Sequence, residues 1–188
     1  VPIVPGLPGA AYAPLRPLVM TIAQQCMGKV DFSITRAGKP MGLDFLIEMF
    51  RFAANVQLTE ANFRKDGNGA WTWIPWIGLK TQQKSWCGVF AVYCYRKAGM
   101  PISWDLGRGG PVGQIQLAKW RPDFASGIQQ ADIGCVKTQS HHFLIESVDG
   151  SGPTPSLTSI DGNLEWGRIQ RRTSHRVGTD NFNYYVLG

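Results

Sequence analysis

The sequence predicts an α+β fold in which N-terminal helices pack on a small antiparallel sheet. Three observations predict it. Helical periodicity dominates the first part of the chain, and short strand-like segments fill the last third, so helices come first and strands afterwards around one core. The composition is that of a folded domain: 188 residues, 44% hydrophobic and only 17% charged. That is long and apolar enough to bury a core unaided, and no apolar run approaches the length of a membrane span.

Residues 1–17 hold Pro2, Pro5, Pro8, Pro14 and Pro17 with Gly6 and Gly9, the composition of a semi-rigid linker or arm. Residues 18–188 are read as one domain. The first residue is Val, and the basic start and long apolar centre of a signal peptide are absent. The chain is therefore expected to be a fragment or processed form of something longer. A short helix is predicted from Leu18 to about Met27, closed by Gly28. A stronger one runs from Leu43 to about Gln57, with Leu43, Leu46, Ile47, Phe50 and Ala54 on one face. Asp44 and Glu48 near its start suit the helix dipole and read as solvated charge.

Asp66-Gly67-Asn68-Gly69 is a turn, followed by Trp71, Trp73, Ile74, Pro75, Trp76 and Ile77. Three tryptophans so close together either pack into the core or form the wall of a cleft. The central helix is Ser85–Gly99. Ser85 is placed to cap it, Gly99 followed by Met100-Pro101 stops it, and Cys87, Phe90, Ala91, Cys94 and Ala98 share its inward side. Gly107-Arg108-Gly109-Gly110-Pro111 lacks the order of a phosphate-binding loop and reads as a connection. A weak helix is expected around Gln114–Lys119, ended by Pro122. Five strands follow: 132–137, 142–148, 157–160 ending in Asp161-Gly162-Asn163, 168–173, and 183–187.

Nineteen basic against thirteen acidic residues give a net charge of +6, which suits polyanionic surroundings such as nucleic acid, anionic lipid or bacterial cell wall. The basic residues are scattered apart from Arg168, Arg171 and Arg172, and no nucleic-acid motif accompanies them, so nucleic acid is not expected as a partner. Cys26, Cys87, Cys94 and Cys135 form no small disulfide scaffold. Cys87 and Cys94, two helical turns or ~10 Å apart, cannot bridge each other. Without a Cys-x-x-Cys pair or a His-rich cluster, no metal is expected, and no organic cofactor either.

Cys87 is the candidate nucleophile, against the plainer reading of a small buried hydrophobe. In the first turn of a helix, the dipole and unpaired N–H groups favour thiolate, the nucleophilic species. Such a nucleophile needs a base, and the base needs a third group to fix its ring. Of the three histidines, His175 lies among Ser174 and Arg176 and reads as solvated surface. His141 and His142 open a strand, whose alternation sends them to opposite faces, so only one is expected to meet Cys87. Asp161 and Asn163, two apart at the end of the next strand, each offer an acceptor for an imidazole N–H.

Trp86-Cys87-Gly88-Val89-Phe90 with Ala98-Gly99, Ala131-Asp132-Ile133, His142-Phe143-Leu144-Ile145 and Ile160-Asp161-Gly162-Asn163 together resemble the CHAP group of the NlpC/P60-type, papain-like peptidases and amidases. The resemblance covers about residues 84–187, the CHAP-like core, and leaves 18–83 as a longer helical and Trp-rich N-terminal part. It implies a papain-like fold and hydrolysis of peptidoglycan peptides, as amidase or endopeptidase. It also implies Cys87 as nucleophile, His142 as base, Asp161 in place of the family's orienting Glu, and Asn163 as the accompanying Asn. Ala131 replaces the usual Gly, and the doubled histidine keeps His141 in contention. Gln83 or Gln82 is the candidate for a second oxyanion donor beside the Cys87 N–H, and Trp86, Trp76 and Trp73 are candidate substrate-binding residues.

These expectations describe a monomeric, secreted or delivered wall-cutting domain of a larger protein, such as an antibacterial secretion-system toxin or a phage lysin, without membrane insertion. A toxin would carry a cognate immunity protein as partner. The competing readings are a papain-like toxin acting on a host protein by proteolysis, deamidation or transglutamination, and a non-catalytic module that binds a glycan or a partner.

Overall fold

The computed structural model describes residues 12–65, 71–73, 85–113, 115–119, 128–136, 141–149, 156–165, 167–176 and 183–187. Among them are three α-helices, α1 Arg16–Cys26, α2 Leu43–Ala54 and α3 Cys87–Lys97. The strands are β1 Asp31–Arg36, β2 Lys39–Met41, β3 Phe63–Lys65, β4 Trp71–Trp73, β5 Ile102–Asp105, β6 Gly110–Gly113, β7 Ile115–Lys119, β8 Ile133–Val136, β9 His141–Asp149, β10 Ser156–Leu164, β11 Arg168–Arg176 and β12 Asn183–Leu187. The six strands β11-β10-β9-β8-β12-β7 form one sheet, antiparallel throughout. The fold is mixed α+β, with helices and antiparallel sheets.

Helix α3 lies at the centre. It is buried along nearly its whole length, and its Val89, Phe90, Ala91 and Val92 join Leu46, Met49 and Phe50 of α2 and Ile133, Leu144 and Ile160 of the sheet in one core. The opposite face of the sheet packs a second cluster of Phe143, Ile145, Leu157 and Tyr184. That is why Phe143-Leu144-Ile145 runs apolar without alternation: both faces of β9 are covered. Gly162 permits a close approach of sheet to helix, since a Cβ there would fall 2.6 Å from Phe90 Cβ.

Several boundaries differ from the sequence reading, each for a local reason. Residues 12–17 belong to the domain rather than to the arm. Ala13–Leu15 form a 3-10 turn leading into α1, and Pro14 and Pro17 sit at helix starts, where a missing N–H costs nothing. Helix α2 stops at Ala54 because Asn55 turns left-handed at φ +56, and its buried face is Leu43, Leu46, Met49, Phe50 and Ala53. Glu48 is not simply solvated, since it accepts from Lys97 Nζ at 3.0 Å. The β1–β2 hairpin turns through Ala37 and Gly38, both at positive φ, and alanine gives little turn signal. Of the segment expected as a weak helix over Gln114–Lys119, Ile115–Lys119 is strand β7, paired along its length with β12, and Gln114 lies outside the described residues. Cross-strand pairing outweighs a marginal local preference there.

Candidate active site

Helix α3 presents Cys87 as its first residue. The N-cap position is Trp86, not Ser85, and it makes no side-chain cap bond. Ser85 acts one residue earlier. Its Oγ donates to Cys87 Sγ at 3.0 Å, lies 3.4 Å from the Cys87 N–H, and accepts from Asn163 Nδ2 at 3.1 Å. The helix closes as the sequence suggests: Gly99, at φ +93, donates to Arg96 O, and Met100 donates to Tyr95 O. This paired ending satisfies two of the last carbonyls and fixes the length of the helix.

Strand β9 brings both histidines to the thiol. The His142 backbone N–H donates to Cys87 Sγ at 3.2 Å, and the imidazoles of His141 and His142 both act on the sulfur. The expectation that only one would meet it rested on strand alternation alone. Cys87 instead meets β9 at its first two residues, His141 and His142.

The two rings have different surroundings. His141 Nε2 lies 2.6 Å from Asp161 Oδ2, which leaves Nδ1 as the nitrogen able to exchange a proton with sulfur. The His142 ring is buried edge-to-face against Trp104, with centroids 4.9 Å apart, and its Nε2 has no hydrogen-bond partner among the described residues. The carboxylate expected to orient His142 therefore orients His141. The reason is strand parity: Asp161 pairs with Phe143, so it shares the face of Phe143 and His141, opposite to His142.

Asp161 and Asn163 separate as well. Asn163 takes a left-handed φ of +56 at an irregularity in β10, which sends its amide to Ser85 rather than to an imidazole. Asp161 is completely buried, and Ser159 Oγ donates to its Oδ1. His175, expected at the surface, is 1% exposed, stacked on Phe143 at 3.9 Å and 3.5 Å from Asp161 Oδ2. A bulge between the pairs Leu157–His175 and Ser159–Arg172 places it there. Simple alternation from Ile169 would have sent it to the other face, so no local signal marked it.

The charges are mutually supporting. Burial pushes the Cys87 thiol up, but the two imidazoles more than offset this and take it down to about 5. Burial disfavours charged His141, yet Asp161 and Cys87 raise it to about 9. Asp161 is likewise opposed by burial and brought down to about 2, chiefly by His141 and His175. Between those values the group holds a thiolate, an imidazolium and a carboxylate in a row. The thiol is itself buried, while the side chain of His141 is 19% exposed and is the member of the pair that reaches the surface.

Of the other expected site residues, Trp86 is 1% exposed and packs in the core, so it does not line a cleft. Trp73 lies on β4, and its side chain is outside the described residues, as are Trp76, Gln82 and Gln83. Ala131, which stands where a glycine was expected, has φ +68. It precedes Asp132, whose carboxylate takes Arg16 Nη1 at 2.7 Å and the Gln129 N–H at 2.8 Å, tying the start of α1 to the sheet. Compared with models of protein families, with curated proteins and with solved structures, the chain matches none.

Proposed function

We propose that this chain is a cysteine-dependent hydrolase with a papain-like, CHAP or NlpC/P60-type domain, cleaving amide bonds in the peptides of bacterial cell wall. The observation that carries the reading is the line Cys87, His141, Asp161, with a thiol at a helix N-terminus and an imidazole held at 2.6 Å by a buried carboxylate. These are the parts of a nucleophile, a general acid–base and an orienting group.

The Cys87 thiolate attacks the amide carbonyl, and the carbonyl pair moves to oxygen. As the tetrahedral adduct collapses, His141 gives its proton to the departing nitrogen, leaving a thioester on Cys87. Neutral His141 then takes a proton from water as that water attacks the thioester, and the thiolate leaves. The Cys87 N–H at the helix start is a donor for the oxyanion, and Ser85, anchored by Asn163, positions the sulfur. The substrate class rests on the motif resemblance together with the net charge of +6, which suits an anionic wall. A delivered toxin or lysin, and an immunity protein for the former, belong to the same reading.

Mass spectrometry of purified sacculi digested by the wild type, Cys87→Ala and His141→Ala tests it. Released peptide fragments with the wild type alone are expected. Intact sacculi with the wild type, accompanied by a cleaved or deamidated protein in lysate, would move the same chemistry to a protein substrate.

A further inference from the structure

Asp161 serves two imidazoles. A fully buried carboxylate opposed by a single cation loses its compensation whenever that cation releases its proton, and His141 must do so in each catalytic cycle of the proposed hydrolase. A second, constant donor removes that difficulty. His175 is placed to be one: it is 1% exposed, its Nε2 is 3.5 Å from the same Oδ2 that His141 meets, and its ring is fixed by stacking on Phe143 at 3.9 Å and 8°. Ser159 Oγ occupies the other oxygen, Oδ1. The three groups facing the carboxylate thus come from β9, β10 itself and β11, and they leave it little freedom to rotate away from His141.

We propose that His175 is a positioning residue that holds Asp161 ionised and aimed at His141 throughout the cycle. It touches neither the thiol nor a substrate directly and acts only through the carboxylate. The inference rests on the proposed Cys87–His141 pair but not on the identity of the substrate. At 3.5 Å the contact is slightly long for a hydrogen bond, and Nε2 has no closer hydrogen-bond partner among the described residues.

The test is the Cys87 thiolate, followed by its ultraviolet absorbance against pH, with the Cys87→Ala form of each variant subtracted. This readout needs neither substrate nor access to the buried sulfur. His175→Phe keeps the flat ring over Phe143 and removes the donor, whereas His175→Gln keeps a donor. With the phenylalanine the thiolate midpoint is expected to rise by about one pH unit or more from the wild-type value, with the glutamine variant staying close to it. A cleavage assay should show the loss in kcat rather than KM, restored in large part by glutamine. An unchanged midpoint in His175→Phe, or equal shifts in both variants, would overturn the proposal. If phenylalanine does not allow folding, His175→Met removes the donor in the same way, and the same outcomes decide. Absence of wall cleavage by the wild type would count against the proposed function and leave the thiolate result standing.

Discussion

The two thiols of α3 sit on one helix, two turns apart, and have opposite chemistry. Cys87 stands at the helix start, where the His142 N–H and Ser85 Oγ meet its sulfur and the two imidazoles, against its burial, draw it down to about 5. Cys94 is equally buried, but its surroundings are apolar, so burial pushes its thiol well up and the neighbouring Cys26 adds to the effect. Burial alone therefore does not decide thiol chemistry. What decides it is whether the desolvated sulfur meets donors and cations or only carbon and another thiol.

The comparison is broken most severely at the reactive end. Cys87→Ala is expected to lower amide hydrolysis by about 10⁴-fold or more, and His141→Ala by a comparable factor. Asp161→Asn is expected to lower kcat by about 10³–10⁴-fold, since the amide cannot hold the imidazolium in place. His142→Ala should cost less activity than His141→Ala. Equal losses on a wall-peptide substrate would return His142 to the role of base.

Acidity sharpens the contrast. Activity is expected to form a plateau between about pH 5 and 9: below it Cys87 binds a proton, and above it His141 has none to give to the leaving nitrogen. A pH–rate profile reads both limbs. Asp161 has its pKa lowered to about 2, so its stabilising contribution is complete above the usual carboxylate range and is lost as pH falls from about 4 to 2. A Tm series in acid should show that drop in the wild type and a smaller one in Asp161→Asn.

Away from the thiols, the buried Arg16–Asp132 pair provides a structural control. Arg16→Ala leaves an uncompensated buried carboxylate and is expected to cost about 3–5 kcal/mol in denaturant unfolding. Cys94→Ala removes a buried sulfur from the inert end, at a cost of about 1–2 kcal/mol with turnover unchanged in the folded protein. A turnover loss in Cys94→Ala matching that of Cys87→Ala would erase the distinction between the two thiols. The smallest effect is a gain: Ala131→Gly relieves a left-handed alanine and should stabilise by up to about 1 kcal/mol, read from the unfolding midpoint.

Much of this was written in short-range pattern. Apolar residues three and four apart marked α2 and α3, Gly99 with Met100-Pro101 marked the end of α3, and short apolar or alternating runs bounded by turn residues marked the strands from Ile133 onward, because those signals act over one or two turns or a single strand. The same local logic placed a cysteine at a helix start and a carboxylate, Asp161, on the strand after the histidines. It could not choose between adjacent histidines, because that choice depends on which face of β9 is shared with Asp161, and cross-strand register belongs to the sheet. Nor could it find His175, moved to the Asp161 face by a bulge in β11, or strand β7, which exists through its pairing with β12. Trp86 was misread as a cleft residue for a related reason: the side toward which the first turn of α3 faces is set by what packs on the helix. Sequence alone determined the kinds of group and their order along the chain. Tertiary structure decided their partners, because parity, bulges and strand order join residues far apart in the sequence.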